Sequence, residues 1–119
     1  MRLQWSGANN SIYHFSNGTL NEIKADKQPI GYHPMMKPFT EHSLTLQKGE
    51  SIFLFTDGYA DQFGGPKKKK FLYKRFEEML RANAALPMEE QKNALNKAFD
   101  DWKGDMEQID DVCVIGVRV

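Results

Sequence analysis

Cysteine occurs once, at Cys113, so no internal disulfide can form. That fits a reducing compartment, and a cytoplasmic location is the expectation. Neither sign of charge is in excess: 16 Lys plus Arg stand against 16 Asp plus Glu. No global field therefore draws the chain toward nucleic acid or an anionic membrane. No apolar run approaches the roughly 20 residues a membrane-spanning helix needs, and the first residues carry no leader pattern. Histidine is scarce, and His14, His33 and His42 lack metal-ligand spacing. Only His33, between Tyr32 and Pro34, stands as a candidate acid near a leaving group. These absences exclude a disulfide scaffold, a membrane span and a histidine-based zinc site.

What is present is ordinary globular material, 40% hydrophobic and 27% charged over 119 residues, enough for one domain. Residues 1–24 read as a β meander. Leu3 and Trp5 alternate with polar neighbours, Ile12–Phe15 follow a turn, and Asn17-Gly18 marks a hairpin because both residues tolerate positive φ. Three of the five prolines fall in residues 25–40, an irregular loop. Leu44 and Leu46 alternate with polar residues, and Ile52–Phe55 is a short strand apolar on both faces. Gly64-Gly65-Pro66 and Lys67–Lys70 read as a loop, the lysines as a solvated face.

Leu72, Phe76, Met79 and Leu80 share one helical face. A second helix begins near Pro87, with Met88, Gln91, Leu95, Ala98, Phe99 and Trp102 as its inner stripe and Gly104 as its stop. Val112–Val117 is the second strand apolar on both faces, with Cys113 as a buried, inert thiol. Strands, two helices and a strand predict an α+β fold, a mainly antiparallel sheet with two helices packed on it. Two doubly apolar strands need cover on both faces, and no second layer is evident in this chain.

The chemistry concentrates at the tips of those two strands. Phe53-Leu54-Phe55-Thr56-Asp57-Gly58 ends a buried strand on a carboxylate, and Gly58 permits a sharp turn. Asp110-Asp111 opens the other strand. If the strands are antiparallel neighbours, Asp57 and Asp110 converge. Adjacent carboxylates repel unless a cation is shared, and oxygen ligands favour Mg²⁺ or Mn²⁺. Asp61 adds charge one turn after Asp57. Each half has a plainer reading: Asp57 as a helix cap, Asp110-Asp111 as a solvated loop.

Five segments together resemble the metal-dependent protein serine/threonine phosphatases, the protein phosphatase 2C-like superfamily, in its stage II sporulation protein E-like branch. They are Trp5–Asn10, Ala25–Gly31, Leu46–Gly49, Phe53–Asp61 and Asp110–Val114, in family order across nearly the whole chain. The resemblance implies the C-terminal part of an α-β-β-α sandwich that hydrolyses phosphoserine or phosphothreonine on a regulatory protein. Two Mg²⁺ or Mn²⁺ ions would activate the water, with no phosphoenzyme. Asp57 and Asp110 would be metal ligands, Asp111 a less consistent one, and Asp61 and Gly58 supporting residues. Implied partners are a phosphoprotein such as an anti-sigma-factor antagonist, and upstream sensor modules.

One departure matters. The family's other metal ligands surround a glycine–histidine–glycine run, and this sequence has none. The expectation is a partial domain, residues 1–119 without the family's N-terminal half, inactive by itself. The alternatives are a non-catalytic, phosphoprotein-binding half-domain and an aspartyl-phosphate enzyme. The latter wants a second aspartate where Tyr59 stands. An uncovered sheet face should also make the chain self-associate. Sedimentation velocity should show a concentration-dependent dimer or larger species; a monomer at all concentrations would count against the open face.

Overall fold

The computed structural model describes residues 1–32 and 34–119, so the candidate acid His33 lies outside the described residues. In chain order the elements are β1 (Arg2–Trp5), β2 (Ile12–Ser16), β3 (Thr19–Ile23), β4 (His42–Thr45), β5 (Ser51–Phe55), α1 (Gly58–Asp61), β6 (Phe63–Gly64), β7 (Lys69–Lys70), α2 (Tyr73–Ala82), α3 (Met88–Lys103) and β8 (Val114–Arg118). This is the expected α+β fold with antiparallel pairing. The chain divides into two compact units, Met1–Leu54 with Ile115–Val119, and Phe55–Val114.

The first unit is built on strands. Asn17 and Gly18 take φ of 50° and 76°, the double positive φ that a two-residue hairpin requires, and β2 pairs with β3 from Ile12↔Ile23 to Ser16↔Thr19. The sheet order is β3-β2-β5-β8. The amide of Gly49 donates to the carbonyl of Val119 at 2.7 Å, and that of Val119 to Glu50 at 3.0 Å. β1 does not join this meander, as its sequence suggested; it pairs with β4, Leu3 opposite Leu44. A second layer is thus present after all, as two strands. Ile12, Leu46 and Ile52 are buried between the layers, with Leu3, Trp5, Ile23, Leu44, Leu54 and Val119 packed around them.

The proline-rich loop is closed by side chains. The Asp26 carboxylate accepts from the Thr40 hydroxyl at 2.8 Å, and buried Gln28 bonds both the amide and the carbonyl of Lys37. Bidentate amide pairing replaces the backbone ladder that the prolines forbid.

The last strand departs most from expectation. β8 starts at Val114 rather than Val112, and Ile115 and Val117 are 53% and 43% exposed. Cys113 is exposed, not buried. β8 is an edge strand of its sheet, flanked among the described residues by β5 alone. Apolar composition marks a surface meant to be covered, but it does not say by which chain.

In the second unit aromatic rings form the core. Tyr59 packs against Phe71, Phe76 and Phe99 at centroid distances of 5.3, 5.0 and 5.2 Å, and Phe55 packs edge-on to Phe76 at 5.2 Å. The Tyr59 hydroxyl donates to the Leu95 carbonyl at 2.7 Å, and burial, with the Asp100 charge adding, pushes its pKa up. It therefore stays a neutral donor. Phe76 and Leu80 are the buried residues of α2, as the periodicity predicts, and Gln91 is that of α3. Pro87 stands at the N-cap of α3, and Gly104 ends that helix at φ 52°.

Glu50 is the polar pin of the first unit. Its carboxylate accepts from the Ser16 hydroxyl at 2.6 Å and the Gln47 amide at 3.0 Å, and meets His14 Nε2 at 2.9 Å. Those bonds, the Ser16 one foremost, lower its pKa from 4.5 to about 2. Between those values the unfolded chain binds the extra proton, so stability falls with falling pH. The contribution should be complete above pH 4.5 and gone below about pH 2. Urea unfolding across that range should show the decline, and Glu50→Gln should flatten it.

Candidate active site

β5 runs out of its sheet at Phe55, and Thr56 and Asp57 follow at once. Asp57 takes the N-cap position of α1, yet its side chain makes no cap hydrogen bond. Its Oδ1 instead accepts a hydrogen bond from the Tyr73 hydroxyl. The plain helix-cap reading of Asp57 therefore fails on the side chain, although the Asp61 amide does close the turn onto the Asp57 carbonyl at 2.9 Å.

The two residues flanking Asp57 hold the second acidic segment. The Thr56 hydroxyl donates to the Asp111 carbonyl at 3.1 Å and accepts from the Cys113 amide at 3.0 Å. The Thr56 amide donates to the Cys113 carbonyl at 3.0 Å. On the other flank, a Cβ added to Gly58 would lie 2.1 Å from the Asp111 carbonyl oxygen. Only glycine lets the chains approach so closely. The segments around Asp57 and Asp111 are thus neighbours, as antiparallel strand tips should be.

The acidic side chains themselves are less gathered than the backbone. Asp110 and Asp111 are exposed, and Asp110 Oδ1 accepts from the Asp111 amide at 2.7 Å. Both precede β8 rather than opening it, Asp110 in a bend. Asp61 faces Lys70, with Nζ–Oδ1 at 3.6 Å. Among the described residues no group of three or more His, Cys, Asp or Glu side chains is placed to hold a metal ion. The donor chemistry fits a hard divalent cation, since two facing segments each present carboxylate oxygen. As a ligand set it is partial, and a bound ion would need further oxygen donors.

Thr56 and Tyr73 are the residues that sequence reasoning missed. Thr56 had a signal: a hydroxyl directly before the strand-end aspartate. Tyr73 had none, because the helical periodicity placed Leu72 on the inner face. Leu72 is instead the residue before α2, 52% exposed, at φ 77° and ψ 151°. That region is nearly glycine-only and costs roughly 1–3 kcal/mol. It is enforced by the Leu72 amide bonding Ala60 at 2.8 Å and the Phe76 amide bonding Leu72 at 3.2 Å. The strained corner delivers the Tyr73 hydroxyl to Asp57.

Comparison with known proteins adds family and fold. The family model described as stage II sporulation protein E matches residues 2–119. The SiaA-PP2C domain of Pseudomonas aeruginosa is similar in structure, with a TM-score of 0.87 and 31% identity, covering 99% of this chain and 46% of that one. A structure of the PP2C phosphatase domain and a fragment of the regulatory domain of SpoIIE from Bacillus subtilis has a TM-score of 0.67 at 19% identity, covering 99% of this chain and 33% of that one. The manganese-presoaked phosphatase domain of SpoIIE from Bacillus subtilis has a TM-score of 0.59 at 19% identity, covering 99% and 49%. At those identities the two SpoIIE structures speak to the fold alone. The chain spans less than half the length of each of these structures. No curated protein matches the chain.

Gly58→Ala tests the close approach. A methyl 2.1 Å from a backbone oxygen must push the Asp111 segment away. The expected cost is about 1–3 kcal/mol, read by urea unfolding. Amide shifts should change at Asp110–Cys113; a silent variant would mean the segments are not held together.

Proposed function

The chain belongs to the stage II sporulation protein E family, and from that premise we propose that it forms one side of a metal-dependent phosphatase site acting on phosphoserine or phosphothreonine in a regulatory protein. The observation that carries this reading is the seating of the Asp111 carbonyl between Thr56 and Gly58, which sets Asp57 beside Asp110-Asp111. Asp57 and Asp110 would hold Mn²⁺ or Mg²⁺, with Asp111 contributing less directly. Bound there, a divalent ion supplies charge for the phosphoryl oxygens and lowers the pKa of water.

The protein's own contribution is placement. Tyr73 donates to Asp57 and fixes the carboxylate's rotation. Thr56 ties the Asp110-Asp111 segment to the Asp57 strand through three hydrogen bonds. Asp61, in the first turn of α1, is paired with Lys70, and its charge would support rather than ligate. Among the described residues Asp57 and Asp110-Asp111 form only part of a ligand set, and further oxygen donors would have to join them to hold the ion. An anti-sigma-factor antagonist as substrate, sensor modules upstream, a cytoplasmic setting and self-association through the exposed Ile115 and Val117 complete the proposal.

The 119-residue chain should bind Mn²⁺ weakly in calorimetric titration, lose that binding in Asp57→Asn, and release little phosphate from a phosphoserine peptide. In the intact gene product the same substitution should lower Mn²⁺-dependent phosphate release by about two to three orders of magnitude. Robust turnover by the 119-residue chain, abolished by Asp57→Asn, would refute the partial site. Turnover in the gene product indifferent to Asp57 would refute the reading itself.

A further inference from the structure

The lysine run, read from sequence as a solvated loop, is a built element of the second unit. Lys69 and Lys70 form β7, which pairs with β6 in the register Phe63↔Lys70 and Gly64↔Lys69. The turn between them closes with the Lys68 amide on the Gly65 carbonyl at 3.2 Å. Trp102 clamps the hairpin to the end of α3. Its indole N–H donates to the carbonyls of Gln62 at 3.0 Å and Lys69 at 3.2 Å, and its own carbonyl accepts the Gly65 amide at 2.8 Å. A Cβ on Gly64 would sit 1.7 Å from that carbonyl oxygen, so the hairpin is pressed flat against the helix.

The charge on this mount is not neutralised. Lys70 pairs with Asp61. Lys67, Lys68 and Lys69 are exposed, and among the described residues none of them has a carboxylate within ion-pair distance. A chain with zero net charge thus places on one Trp102-clamped hairpin three lysines that have no carboxylate partner among the described residues.

The hairpin is also registered to the candidate site. Successive contacts join its return strand to the α1 turn: Lys70 to Asp61, the Phe71 amide to Gln62, the Leu72 amide to Ala60, and the Tyr73 hydroxyl to Asp57. From Tyr73 back to Lys68 is five residues, at most about 17 Å of extended chain at roughly 3.3 Å per residue. A peptide with its phosphoresidue at Asp57 covers that distance with about five residues of its own.

We propose that Lys67, Lys68 and Lys69 form a docking edge for an acidic segment of the phosphoprotein, within about five residues of its phosphorylated side chain. This rests on the phosphatase reading and adds a substrate rule to it. The edge supplies charge and register, while the chemistry stays at Asp57. Three exposed ion pairs, each of modest worth, amount to about a tenfold gain in affinity, weakened by salt.

Fluorescence anisotropy with labelled phosphoserine peptides tests it on the full chain. One peptide carries Glu at three to five residues either side of the phosphoserine, and a second carries Gln there. Each is also made unphosphorylated. The acidic phosphopeptide should bind about tenfold more tightly than the neutral one at low salt, and the triple variant Lys67→Gln, Lys68→Gln, Lys69→Gln should remove the difference while keeping its melting temperature. Equal binding of acidic and neutral peptides overturns the proposal, as does lysine-dependent binding of a single-stranded oligonucleotide tighter than that of the acidic peptide. A lysine-dependent preference for acid that ignores phosphorylation supports the docking edge and counts against the phosphatase reading instead.

Discussion

The backbone carbonyl of Asp111 is the joint on which the candidate site turns. It meets the Thr56 hydroxyl on one side of Asp57 and the bare Cα of Gly58 on the other. A hydroxyl can donate to a carbonyl while accepting from an amide, and Thr56 does both, bonding Asp111 and Cys113 together. A side chain at position 58 would take the space the carbonyl fills. One threonine and one glycine therefore bring together acidic segments more than fifty residues apart.

From that joint outward, the second unit is a chain doubling back on itself. The strand end at Asp57, the short turn of α1 and the β6–β7 hairpin lie alongside one another, and the return strand lands Tyr73 on Asp57. Aromatic packing holds the arrangement. Tyr59 lies among Phe71, Phe76 and Phe99, and Phe71 packs edge-on to Trp102 at 5.5 Å. Arg75 lies over the Trp102 ring at 4.6 Å, which covers the clamp with a cation rather than a further apolar residue. The strain at Leu72 is the local cost of the fit, tolerated because hydrogen bonds on both sides of the residue fix its backbone.

The first unit follows a different logic. Its two small sheets share one apolar core, while β8 leaves apolar side chains at a sheet edge. Natural edge strands are commonly blunted by charge, proline or cover. Here Arg118 is the one charged residue of β8. The edge of β8 is thus left without that protection along Ile115 and Val117.

The α+β class, the Asn17-Gly18 hairpin, the β5 strand and the two longer helices were legible in the sequence, while α1 and the β6–β7 pair were not. Periodicity, glycine and proline placement, and strand-end carboxylates are local signals, and local chemistry is what a single sequence displays. Ring stripes such as Phe76 with Leu80 behave the same way. Tertiary structure alone decided that β1 leaves the meander for β4, that Cys113 and Ile115 face outward, that the lysine run is a clamped hairpin, and that Tyr73 reaches Asp57. Each depends on a partner far along the chain, or on a φ that leucine adopts only when distant hydrogen bonds compel it. Apolar composition states that a surface is to be buried, and only the packed chain states against what.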